Sequence, residues 1–193
     1  MAKRTKLHDR ILPSYTLAQE LVNAISHGTG AIFGMAALYL CVKKALTLGV
    51  IETAASAVYG FCLIALYTLS CVYHSLGRNT GKKVMQIIDH CTIYFLIAGT
   101  YTVISLSALR PMYPVLGWGM LAFQWALTAL AVTLTAIDLK KYNAFSMICY
   151  ICMGWAILPF MKQAMTAMTV PGFMLLLSGG IAYTVGAVLY GVG

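Results

Sequence analysis

The sequence predicts an all-α protein, a polytopic bundle of transmembrane helices, on three observations. The chain is 61% hydrophobic and 9% charged over 193 residues, whereas soluble domains carry about a quarter charged residues. Its apolar residues gather into six runs, each long enough to cross roughly 30 Å of hydrocarbon as a helix. Its basic residues stand mostly between those runs rather than inside them. No internal repeat or linker divides the chain, so residues 1–193 read as a single transmembrane domain.

In order, residues 1–20 form a polar arm carrying Lys3, Arg4, Lys6 and Arg10, with Pro13 breaking any long helix there. The first span covers residues 21–42. It is retained rather than cleaved: a signal peptide's apolar region runs about 7–15 residues, and Lys43 and Lys44 follow with no small-residue cleavage site before them. Its Gly30 and Gly34 make a small-xxx-small packing face. Further spans are expected at residues 53–76, 84–109, 115–137, 144–161 and 171–193, with Trp118 an interfacial anchor. Nine basic residues fall on one side (Lys3, Arg4, Lys6, Arg10, Arg78, Lys82, Lys83, Lys140, Lys141) and four on the other (Lys43, Lys44, Arg110, Lys162). That bias places the N-terminal arm in the cytoplasm. The net charge of +8 therefore follows membrane topology. It does not indicate a nucleic-acid partner, since no Lys/Arg run exceeds two residues.

All six cysteines lie in apolar runs, which argues against a disulfide framework. Cys149 and Cys152 form C-x-x-C, but in mid-span this reads as two small apolar residues.

The ionisable residues inside the spans concentrate at one end. Glu20, Asn23 and His27 open the first span, Ser70 and His74 close the second, and Asp89 and His90 begin the third. Ser70 and His74 are four apart and share a helix face. A carboxylate about 8 Å inside its helix, as Asp89 is from residue 84, costs about 1–3 kcal/mol and demands a partner. His90, about 100° around the helix from Asp89, is expected to face elsewhere. Glu52 and Asp138, at span ends, read as solvated charges, nothing comparable is expected at the opposite end, and His8 carries no signal.

Three stretches together resemble bacterial hemolysin III: E-L-V-N-A-I-S-H-G-T-G at residues 20–30, S-C-V-Y-H at 70–74 and D-H-C-T-I-Y-F-L-I-A-G-T-Y-T at 89–102. Y-T-V-G-A-V-L-Y at 183–190 is similar to the family's penultimate helix. That family sits with the progestin and adipoQ receptors, which include the adiponectin receptors. The resemblance implies seven helices, a cytoplasmic N-terminus and residence in the bacterial inner (plasma) membrane. It implies a zinc ion near the cytoplasmic leaflet, with His74 as the first metal ligand, Asp89 beside a zinc-bound water and Ser70 lining the site. Glu20, Asn23 and His27 would support it. Two further ligands are expected from an H-x-x-x-H on a helix after Gly193. Val103 stands where the family often has Pro, which should alter a local kink only.

Zinc lowers the pKa of bound water to about 7, after which Asp89 could act as general base and Ser70 could orient it or meet an oxyanion. By similarity to membrane ceramidases, the implied function is hydrolysis of a lipid acyl-amide or ester, or regulation of membrane lipid composition. The alternatives are a membrane receptor or scaffold without catalysis, and a pore-forming cytolysin. Membrane lipids are the expected partners, and a homo-oligomer is compatible with the sequence.

Overall fold

A computed structural model describes residues 5–192. Six helices are long and apolar enough to cross a membrane: α1 (Leu17–Ala45), α2 (Val50–Ser75), α3 (Thr80–Met112), α4 (Pro114–Ile137), α5 (Asn143–Ala167) and α6 (Val170–Val192). No strand occurs among the described residues. The six expected spans are all present, several of them longer than read. The helix expected after Gly193 lies outside the described residues.

α3 is the most buried span, and α1 and α6 are the least. The core forms where α3 meets α4 and α5, around Tyr94, Tyr101, Leu109, Met153 and Ile157. α1 instead packs along α2 through its small residues. A Cβ on Gly30 would stand 2.8–3.0 Å from the ring of Tyr67, and one on Gly34 would stand 3.2 Å from Ile64. The close approach expected of this glycine pair therefore occurs, against α2.

Two spans are irregular, and in α5 neighbours satisfy the backbone groups this frees. α3 passes Val103 in α-helical form and enters a π-helical turn at Ile104–Leu109. α4 fits against that turn at Gly117, whose absent Cβ would stand 2.7 Å from the Ser105 carbonyl oxygen. α5 breaks between Gly154 and a 3-10 turn at Leu158–Phe160. Away from water, each unpaired backbone group there would cost several kcal/mol. Tyr101 of α3 closes the gap by donating to the Gly154 carbonyl at 2.8 Å and accepting from the Ile157 N–H at 3.1 Å. Gln124 of α4 donates to the Met153 carbonyl at 3.0 Å. Trp155, at the break, donates to Thr184 of α6 at 2.9 Å and ties that peripheral helix on.

Candidate functional site

The site begins with the way α1 starts. Thr16 and Gln19 form a capping box, Gln19 N–H donating to Thr16 Oγ1 at 3.3 Å and Thr16 N–H to Gln19 Oε1 at 2.8 Å. Glu20 follows in the first turn, where the positive end of the helix favours a carboxylate. Asn23 and His27 recur three and seven residues later on that face.

Glu20 is divided between two partners. His74 Nδ1 lies 2.7 Å from its Oε2, and Lys82 Nζ donates to its Oε1 at 2.6 Å. Lys82 is only 3% exposed and is fully engaged. It also donates to the Leu76 carbonyl at 2.9 Å and sits 5.0 Å from the centre of the Tyr73 ring. The sequence reading counted Lys82 only as a loop charge. The available signal was its place at the third position of a helix capped by Asn79, whose side chain accepts from Lys82 N–H at 2.9 Å. A cation there opposes the helix dipole and calls for an acid.

The second pair is His27 and Ser70, 2.7 Å apart between Nδ1 and Oγ. The His27 ring meets His74 and Tyr67 edge-on, each at 5.8 Å between centroids. Asp89 is held differently. α3 begins at Thr80 rather than 84, so Asp89 lies on the order of 14 Å into its helix. Among the described residues no hydrogen bond ties its carboxylate, and the nearest ionic contact is His90 Nδ1 at 3.7 Å. That nitrogen is already engaged with the Gln86 carbonyl at 2.8 Å.

Asn23, His27, Ser70, His74 and Asp89 all line one cavity of about 630 Å³, and Glu20 stands behind His74. His90 lines it too, contrary to expectation. Gln86, Asp89, His90 and Ile93 form an i, i+3, i+4, i+7 stripe, and the cavity is wide enough to receive both neighbours. Tyr67, Tyr150 and Tyr183 complete a wall the sequence reading missed. A second cavity of about 560 Å³, lined mostly by apolar residues of α2, α3, α5 and α6, shares Leu66, Ile93 and Tyr183 with the first.

Two charges read as solvated are not. Glu52 is paired with Arg110 at 2.6 Å, so the opposite end of the bundle has an ion pair of its own. Asp138 is 2% exposed and accepts from Thr5 N–H at 2.8 Å and Lys141 N–H at 3.1 Å. The Thr5 N–H foremost holds its carboxyl below the usual carboxylate range against the opposing effect of burial. The cysteines are free thiols, Cys149 buried and Cys152 exposed.

For a metal, His74 presents a suitable orientation: with Nδ1–H given to Glu20, Nε2 remains to ligate, as metal-binding histidines backed by carboxylates do. No group of three His, Cys, Asp or Glu side chains able to hold a metal ion occurs among the described residues. The described residues thus supply at most part of a zinc site.

The model of the haemolysin-III-related family matches residues 15–193. The chain is 39% identical to Hemolysin-3 of Bacillus cereus, over 89% of this chain and 78% of that protein. It is 32% identical to the Hemolysin-3 homolog of Bacillus subtilis (strain 168), over 91% and 82%. Similarity extends at 27% identity to the human monocyte to macrophage differentiation factor, over 69% of this chain and 56% of that one. No solved structure matches. With its six apolar helices, the chain belongs to the haemolysin-III-related family of multi-pass membrane proteins.

Proposed function

We propose that the protein binds a membrane lipid between α2, α3 and α5 and hydrolyses its acyl-amide or ester bond, with the arm end of the bundle facing the cytoplasm of a bacterial inner membrane. The carrying observation is the Asp89 carboxylate, which has no hydrogen bond among the described residues and lines, with other ionisable side chains, a cavity that adjoins a more apolar one. A lipid is polar at one end and apolar at the other, and this pair of cavities matches it. In the reaction, Asp89 takes a proton from water as the water oxygen bonds to the acyl carbon. It returns that proton to the amine or alcohol as the C–N or C–O bond breaks. Ser70, positioned by His27, donates to the oxygen on which negative charge develops. His74, oriented by Glu20, would hold one position of a zinc ion, which when bound would supply a water acidified to a near-neutral pKa.

The test uses full-length protein in proteoliposomes offered acyl-amide and acyl-ester lipids. Asp89→Asn and Ser70→Ala should abolish or strongly reduce fatty-acid release while the proteins remain folded. Release that is unchanged in Asp89→Asn refutes the mechanism. Metal analysis should find about one zinc per chain, lost in His74→Ala. Zinc that persists in His74→Ala removes His74 from the site. A second reading, a lipid receptor without catalysis, rests on the same pair of adjoining cavities. It predicts lipid binding with no fatty-acid release from any variant.

A further inference from the structure

Arg10 is the one arginine of the arm that the structure describes, and it is buried. It is 8% exposed, and its Nε and Nη1 atoms are inaccessible and have no hydrogen-bond partner among the described residues. A guanidinium stays charged at any working pH and offers five donors. Burying it with donors unfilled is costly, and such groups are otherwise paired or hydrated.

Its neighbour Asp138 does not fill them. Both Asp138 oxygens accept from the backbone, Oδ2 from Thr5 N–H at 2.8 Å and Oδ1 from Lys141 N–H at 3.1 Å. It attracts Arg10 through space without forming a hydrogen bond to it. Asp9 lines the same hollow but is exposed and turned to His8 Nε2 at 2.9 Å.

Arg10 lines a hollow of about 330 Å³ at the arm end of the bundle, formed with Gln86, His90, Lys140 and Asn143 among others. Its wall thus combines a buried guanidinium, an ammonium, two amides and an imidazole with the exposed carboxylate of Asp9. Gln86, His90 and Asn143 also line the larger Asp89 cavity, so the two spaces share a wall.

We propose that this hollow is an oxyanion site that takes a phosphate group, with the Arg10 guanidinium and the exposed Lys140 ammonium as its two cations. Arginine and lysine together are the usual protein complement of a phosphate. The position, at the rim where six apolar helices end, fits a phospholipid headgroup as well as a free phosphate. The inference stands apart from the zinc and hydrolase reading and uses none of its residues as ligands.

The test is native mass spectrometry of the full chain, first in detergent with added inorganic phosphate, then released from nanodiscs of phosphatidylglycerol or of phosphatidylcholine. Wild type should carry one phosphate-bearing adduct, and Arg10→Gln should lower its occupancy about tenfold, as loss of a charge-assisted donor set implies. An Arg10-dependent adduct in nanodiscs alone identifies a lipid headgroup, and one with added phosphate alone identifies a soluble ligand. Both support the site. Adducts of equal occupancy in wild type and Arg10→Gln, or no adduct in either arm, overturn it and leave Arg10 hydrated by water only. If Arg10→Gln fails to fold, the exposed Lys140→Gln decides: occupancy about threefold lower supports the site, and unchanged occupancy overturns it.

Discussion

The two halves of the bundle use polar residues differently. In the half away from the arm, the polar groups that are paired serve the fold, while the buried Ser105 and Ser107 hydroxyls and Gln124 Oε1 have no hydrogen-bond partner among the described residues. Tyr101 and Gln124 close the backbone break in α5, and Arg110 neutralises Glu52 while its Nε donates to the Leu106 carbonyl at 3.1 Å. In the arm half, only part of the polar set is consumed. Glu20 and Lys82 fix His74, yet Asp89 faces a cavity with no hydrogen bond to its carboxylate among the described residues. The arm half is thus set apart not by unpaired atoms as such but by an ionisable side chain that faces a cavity. Mutations in the two halves should accordingly separate stability from function.

The largest effect on stability is expected from Lys82→Ala. It leaves the Glu20 carboxylate, 17% exposed, with one partner of two, and breaking a buried pair costs about 3–5 kcal/mol. Denaturant unfolding in detergent measures this, and a loss below about 1 kcal/mol would mean that water compensates Glu20.

Tyr101→Phe comes next. It frees the Ile157 N–H and one acceptor bond at Gly154, at about 1–3 kcal/mol for each group left unsatisfied. Tyr101 also lines the apolar cavity proposed for the lipid, so unfolding in detergent is its readout, and a loss below about 1 kcal/mol would mean that neither group is left unsatisfied.

A smaller effect concerns the arm. The depressed Asp138 carboxyl contributes stability at neutral pH, and that contribution is lost as pH falls below about 4, through the unfolded-state value toward the lower folded one. The protection of the Thr5 amide, that is its exchange relative to the intrinsic rate at each pH, should therefore fall on acidification in wild type, and should already be low and less pH-sensitive in Asp138→Asn. The smallest effect on stability is Ser70→Ala, about 1 kcal/mol for one lost hydrogen bond, with a disproportionate loss of turnover.

Much of this comparison was legible in the sequence. Six long apolar runs fixed the spans because membrane crossing demands length and composition alone. Ser70, His74, Asp89, Asn23 and His27 stood out because each is expensive in hydrocarbon. What was not legible depended on tertiary pairing. Lys82 resembles any loop lysine until Glu20 lies opposite it. Asp138 resembles a span-end charge until the arm folds back onto it, and Arg10 is buried by the same folding. The role of Tyr101 required knowing that α5 breaks at Gly154, which no apolar count reveals.

The most direct test compares the lipid composition of cells lacking the gene for this protein after complementation with wild type, Asp89→Asn or Glu52→Gln, at matched protein levels in the membrane. Glu52 lies at the opposite end of the bundle and lines neither cavity. Glu52→Gln should restore the wild-type lipid profile, and Asp89→Asn should leave the deletion profile. A wild-type profile from Asp89→Asn would contradict the role given to Asp89.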